Sequence, residues 1–250
     1  MGRKLIIHAG YSKTGSTWLQ HNVFPLLSGI KYTGLTEYQE LVRTISGIPE
    51  WCYQFNTFFN KSPVVWRDFG QRVLDEILFP TNGSDHDILL SDENIVLGRG
   101  FYRNNLRYPH PKAGKDPYLL RMHVDLIREL AAKNGIDNIK LLVVIRRQDT
   151  WLASRYAQSS AFIRGASDKD FRRQVQMALS KHEEYYQVGI WLDYDLLFEQ
   201  LAISLGSANV LMLPFELLEE NPKAFAAQIA AFVDSPLRDI DYDSQVNRRR

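Results

Sequence analysis

A lysine and several hydroxyl side chains sit between two glycines in the run Gly10-Tyr11-Ser12-Lys13-Thr14-Gly15-Ser16-Thr17-Trp18. Such a run binds anions when a strand precedes it and a helix follows. Loop N–H groups and the helix N-terminus then converge on one negative group, and the helix dipole favours that charge. The flanks fit this layout. Leu5-Ile6-Ile7 is a short apolar run, and Trp18-Leu19 then Val23-Phe24 recur at helical spacing. A second candidate for anion chemistry is Arg146, which closes the apolar run 140–145, with Ser154 eight residues later. A strand-end Arg offers a charge-assisted fork to phosphate. A Ser in the helix that follows adds a hydroxyl near the positive end of the dipole.

The glycine spacing is close to the nucleotide-binding pattern G-x-x-x-x-G-K-[ST]. Gly10, Gly15 and Thr17 fit it, but Ser16 stands where the lysine should be and the lysine is Lys13, inside the loop. A lysine at the helix start reaches β- and γ-phosphates, whereas Lys13 would reach a shorter group. Lys13-Thr14-Gly15-Ser16-Thr17-Trp18 resembles the 5′-phosphosulfate loop of the sulfotransferase family, commonly Pro-Lys-Ser-Gly-Thr-Thr-Trp. Ser12 replaces the usual Pro. The stretch from Arg146 to Tyr156 resembles the 3′-phosphate motif of the same family, an Arg at a strand end with a Ser eight residues on. Arg147 stands for the usual Asn or Asp and Gln148 for the usual Pro. Arg147 either adds to the anion site or faces solvent. The two motifs occur in family order and in the expected secondary context.

The resemblance implies a P-loop-NTPase-like sulfotransferase fold and 3′-phosphoadenosine 5′-phosphosulfate (PAPS) as sulfuryl donor, with no metal required. It implies that Lys13, Thr14, Gly15, Ser16, Thr17, Trp18, Arg146 and Ser154 bind the donor. Lys13 would neutralise charge developing on the bridging oxygen. Trp18 matches a family tryptophan that stacks on adenine; its other reading is a core place in the first helix. A general base should activate the acceptor hydroxyl or amine. Glu93 lies just past the strand ending at Ser91, where one branch keeps a catalytic His. Glu37 lies 24 residues after Lys13, near a Glu of other branches. Either could instead be a solvated carboxylate or a helix cap, and Asp92 and His110 are further choices. His8, on the first strand, reads as a packed, hydrogen-bonded histidine. The expected acceptor is a sugar hydroxyl, a lipid or small-molecule alcohol, or a tyrosine, with the chain length and the Glu-type base options leaning toward carbohydrate.

Two rival readings stand beside this one. Ile88 to Glu93 runs from apolar residues to acids, as a P-loop kinase or NTPase using ATP and magnesium would have it. A binding module could keep the nucleotide fold without turnover. Ser16 in the lysine position and the Arg146/Ser154 pair speak against the kinase.

Alternation of apolar runs and helical patterns sets the scaffold. Strands are expected near 5–7, 87–91, 140–145 and 209–213, and 30–34 reads as a short strand or a turn. The run 140–145 is apolar on both faces, as a central parallel strand should be. Helices are expected over 16–27, 36–45 with Thr36 as N-cap, 65–79, 118–134 closed by Gly135, 149–163 with Asp149 as cap, 168–189, 194–205 and 222–233. This is α/β architecture, an open parallel sheet flanked by helices, read as one sulfotransferase domain over 1–250. Ligands bind such sheets at the carboxyl ends of the strands. The loops after Ala9, Ser91, Ile145 and Leu213 should line that edge. The aromatic run 51–59 reads as core or lid packing. The long basic loop 98–117 could meet an anionic acceptor. Arg248 to Arg250 reads as a solvated tail that could also close the 3′-phosphate site.

Composition narrows the classes. Hydrophobic residues make up 45% and charged residues 24% of the 250, with a net charge of +1. No global field draws nucleic acid or a membrane surface, so any anion site must be local. The lone Cys52 excludes an internal disulfide and a cysteine zinc cluster. No 18-residue apolar run points to a membrane span. A cytoplasmic enzyme, or an excised catalytic domain, is the expectation.

Overall fold

The computed structural model describes residues 2–59, 61–78, 86–93, 95–96, 118–180 and 193–238. The basic loop 98–117 with His110, residues 181–189 of the helix expected from 168, and Arg248 to Arg250 lie outside these residues. Among the described residues five strands form one sheet: β1 (Lys4–His8), β2 (Ile30–Thr33), β3 (Asp87–Ser91), β4 (Asn138–Ile145) and β5 (Val210–Pro214). The order is β2-β3-β1-β4-β5 and every pairing is parallel.

Helices cover both faces, and the period-2 alternation of the strands explains how. On one face Leu5, Ile7, Ile88, Leu90, Leu141 and Val143 pack beneath α2 (Leu35–Arg43), α3 (Asn56–Phe59), α4 (Gln71–Leu78), α5 (Tyr118–Lys133), α6 (Gln148–Ser159) and α8 (Tyr194–Leu205). On the other, Ile6, Leu89, Leu142 and Val144 meet α1 (Ser16–Asn22), α9 (Phe215–Glu220) and α10 (Pro222–Val233). The remaining helix, α7 (Asp168–Ser180), follows α6. Fully burying an aliphatic side chain of this kind contributes about 1.5–3 kcal/mol, so the two cores hold the central strands rigidly.

Several expected boundaries move. The first helix stops at Asn22, and Pro25 belongs to a separate 3-10 turn, Phe24–Leu26. The second starts at Leu35, not after a Thr36 cap. Gly34 is the N-cap, and its N–H donates to Glu37 Oε2 at 2.6 Å. A π-helical turn, Trp66–Gly70, precedes α4 where one continuous helix was expected. α6 begins at Gln148, so Asp149 lies inside its first turn. The aromatic run is core: Phe55 and Phe58 are fully buried, and Phe58 stacks on Trp66 with centroids 4.5 Å apart.

The sheet order creates the crevice that matters. From β1 the chain crosses over to β2 on one side, and from β4 it crosses to β5 on the other. Adjacent strands whose connections diverge leave a gap at their carboxyl ends. The loop after β1 and Arg146, at the end of β4, flank that gap.

Candidate active site

The loop from Ala9 to Gly15 is welded to β4 at its start. Ala9 N–H donates to Leu142 O at 2.9 Å and Tyr11 N–H to Val144 O at 3.4 Å. The backbone then turns sharply. Lys13 has φ 69° and Gly15 φ 77°, both left-handed. Gly15 is required twice over, because a Cβ there would also lie 2.6 Å from Leu218 Cδ2. For Lys13 the left-handed region costs about 1–2 kcal/mol, and residues held this way cluster at functional sites. Among the described residues, the N–H groups of Lys13, Thr14, Gly15 and Ser16 donate to no other group. Four successive free donors at a helix start make a cradle for an anion.

Arg146 closes the other side. Its Nη1 donates to Lys13 O at 3.2 Å, and its guanidinium lies over the Phe215 ring at 4.9 Å. Its Nε is buried with no hydrogen-bond partner among the described residues. An unpaired buried donor on a cation is costly, and an anion in the crevice would relieve it. Tyr194 OH donates to Arg146 O at 2.7 Å and pins the strand end. Arg147 points outward and pairs with Asp149 at 2.8 Å, both side chains well exposed. Of its two expected positions it takes the solvent one. Ser154 is half-buried on the face of α6 that carries Trp151 and Arg155, and its hydroxyl has no partner among the described residues.

The acids separate clearly. Ser16 Oγ donates a short hydrogen bond to Glu93 Oε2, which ties the carboxylate after β3 to the first residue of α1. Glu37 is exposed and holds the Gly34 cap. Asp92 is buried and accepts from Asn56 N–H at 2.7 Å and Asn56 Nδ2 at 2.9 Å. Burial pushes its carboxyl up to about 6 against those bonds. It braces α3. His8 is fully buried with Nδ1 2.9 Å from Ser91 Oγ, and burial pulls its imidazole down to about 3. It is the packed histidine expected, far too weak a base near neutrality.

The remaining residues of the motif take different places. Thr14 is fully buried and its hydroxyl donates to Tyr11 O, so the side chain braces the loop. Thr17 is exposed. Trp18 is 5% exposed and packs in the core with Leu19, Phe215 and Leu218. Of its two expected readings, the core place is the one the structure gives it.

The model of the family described as "Sulfotransferase domain" matches residues 3–250. The chain belongs to the sulfotransferase family. One solved structure agrees at the level of fold, and two further ones are less similar. A sulfotransferase from Alicyclobacillus acidocaldarius is 11% identical with a TM-score of 0.54, the match covering 98% of this chain and 87% of that one. A mouse sulfotransferase complexed with PAP gives 11% identity and a TM-score of 0.47, covering 95% and 61%. The sulfotransferase domain of the Synechococcus PCC 7002 olefin synthase gives 14% and 0.41, covering 95% and 75%. A comparison with curated proteins found no match.

The same edge of the sulfotransferase also holds residues that sequence reasoning passed over. Trp151 Nε1 donates to Ser12 O at 2.9 Å, and Arg155 Nη1 to Ser12 Oγ at 3.3 Å. Phe215 and Glu216 bring the loop after β5 to the edge, Glu216 Oε1 accepting from Arg147 N–H at 3.0 Å. The only signal in the sequence was the i, i+4 spacing of Trp151 and Arg155 within the second motif. Among the described residues no group of three or more His, Cys, Asp or Glu is placed to hold a metal ion. No described helix is long and apolar enough to cross a membrane.

Proposed function

We propose that this sulfotransferase moves a sulfuryl group from PAPS to a hydroxyl of a small-molecule or carbohydrate acceptor. The observation that carries the reading is the meeting of two elements at the β1/β4 crevice that, among the described residues, have donors to spare: the N–H groups of residues 13–16, and Arg146 with its buried Nε. A donor with two separate phosphate groups suits two such elements.

PAPS supplies an activated sulfuryl group whose S–O bond to the 5′-phosphate breaks as the acceptor oxygen bonds to sulfur, releasing 3′-phosphoadenosine 5′-phosphate (PAP). The Lys13 ammonium offsets negative charge that develops on the leaving oxygen. The N–H groups of residues 13–16 hold the 5′ side, and Arg146 with the Ser154 hydroxyl holds the 3′-phosphate. Glu93 takes the acceptor proton and passes it to solvent. Its contact with Ser16 favours it over Glu37, which is committed to a helix cap. The protein lies in the cytoplasm and acts as one domain over 1–250.

Incubation with sulfur-35 PAPS and a panel of sugars, steroids, phenols and peptides, with chelator present, tests the reading. Label should appear on a hydroxyl acceptor, foremost a sugar. Label that stays on PAPS with every class would oppose it.

A further inference from the structure

Ser12 stands where the resembling loop carries Pro, and Arg155 is the residue that reaches it. Arg155 Nη1 donates to Ser12 Oγ at 3.3 Å, and Trp151 Nε1, one turn earlier on α6, donates to Ser12 O at 2.9 Å. Arg146 Nη1 then donates to Lys13 O at 3.2 Å. Three donors from β4 and α6 thus hold consecutive acceptors of the loop. In a trans peptide the C=O and the following N–H point in opposite directions. The Ser12 carbonyl fixed toward α6 and the Lys13 carbonyl fixed toward Arg146 therefore turn the Lys13 and Thr14 N–H groups the other way, into the cradle.

This clamp meets a specific need. Lys13 lies at φ 69°, which an L side chain adopts only where its surroundings over-determine it. A prolyl ring would restrict the residue before Lys13 without help. Ser12 brings no such restriction, so the surroundings must supply it. Tyr11, which precedes Ser12, packs edge-on against Trp151 with centroids 5.5 Å apart, so the clamp grips a buried segment.

We infer that Arg155 is a positioning residue of the donor site. Through Ser12, and together with Trp151, it sets the backbone of the lysine loop and so the direction of the N–H groups that receive the 5′-phosphate. The inference rests on the proposed PAPS site but makes a separate demand. The effect must be confined to the 5′ side of the ligand, because the 3′ side is held by Arg146 and Ser154.

The test uses calorimetric binding of PAP and of adenosine 3′-phosphate, which lacks the 5′-phosphate, to the whole chain. Wild type must first bind PAP; if it does not, the proposed function fails before this inference is reached. Arg155→Met and Ser12→Ala should each weaken PAP about tenfold while leaving adenosine 3′-phosphate within about twofold. The double variant should be no weaker than either single one, since both break the same bond. Arg155→Lys should restore part of the loss. Equal weakening of both ligands, selective weakening of adenosine 3′-phosphate, additive effects, or unchanged PAP binding would each overturn the inference.

Discussion

Ser16 donates its hydroxyl to the carboxylate of Glu93, joining the first residue of α1 to the turn after β3 across 77 positions of sequence. The bond links the proposed donor cradle to the proposed base. A carboxylate held against the phosphate loop is close to where the sulfuryl group would be presented. It is also held by a hydroxyl that a bound 5′-phosphate would compete for.

Glu93→Gln therefore keeps the shape and the Ser16 contact but cannot take a proton. Transfer from PAPS should fall by roughly 10²–10⁴-fold, the usual worth of a general base. PAP affinity should stay within about threefold. A glutamine variant that transfers normally would move the base elsewhere, with Glu37→Gln the next variant to assay.

Lys13 and Arg146 should separate in kinetics. Lys13→Ala should lower kcat by about 10²–10³-fold, as loss of one charge-stabilising group does, with little change for PAP, which lacks the sulfuryl group. Arg146→Ala should weaken PAP by roughly 10- to 100-fold, the worth of charge-assisted hydrogen bonds. Stopped-flow transfer and calorimetry read the two quantities separately. Swapped effects would reverse the roles assigned here.

Gly15 bears on the fold as much as on the site. Gly15→Ala would place a Cβ at φ 77° and against Leu218 and Phe215. The left-handed backbone and the overlap should together destabilise by about 2–4 kcal/mol. Urea unfolding should show the lower midpoint, and Leu218→Ala should cost less in the Gly15→Ala background than in wild type, because it removes the overlap.

His8 sets a pH dependence. Its folded imidazole is depressed to about 3 from the ordinary 6.5, because burial excludes the charged form. Between these values the unfolded chain binds the proton and the folded chain does not. Stability from this residue is complete above about pH 6.5 and is lost as pH falls toward 3. Asp92, raised to about 6 by burial, works in the opposite sense: its folded carboxyl takes a proton more readily than the unfolded one, so it favours folding as pH falls from about 6 to 4. In denaturant titrations at pH 7, 5 and 4, His8→Gln should lose less stability on acidification than wild type. A parallel loss in both proteins would contradict the assignment.

Much of this arrangement was legible before any coordinates. Leu5 to Ile7 and the run 140–145 read as buried strands because parallel strands bury both faces. The spans 194–205 and 222–233 were read at the bounds observed, the latter marked by Pro222 at its start. Lys13 and Arg146 were legible because both follow apolar strands directly, so chain order alone brings them to one edge. The clamp on Ser12 was not: Trp151 and Arg155 reach it from 139 and 143 residues away, and such pairings depend on how α6 docks. The cap of α2 was missed because Gly34 has no side chain to announce it; Glu37 makes the bond from three residues on. Trp18 was left between adenine and core because a large aromatic side chain suits both, and only the placement of Phe215 and Leu218 decides it.

The central claim is that the β1/β4 crevice binds a nucleotide with phosphate at both the 3′ and 5′ positions. The most direct measurement is thermal unfolding with PAP in the absence of magnesium, beside ATP with magnesium, for wild type and Arg146→Ala. At 100 times its dissociation constant a ligand stabilises by about 2.7 kcal/mol, a rise of several degrees in Tm. The account predicts that rise with PAP alone in wild type, cut to about 0.4–1.4 kcal/mol in Arg146→Ala at the same concentration by its 10- to 100-fold weaker affinity. A rise with ATP and magnesium but none with PAP would contradict it.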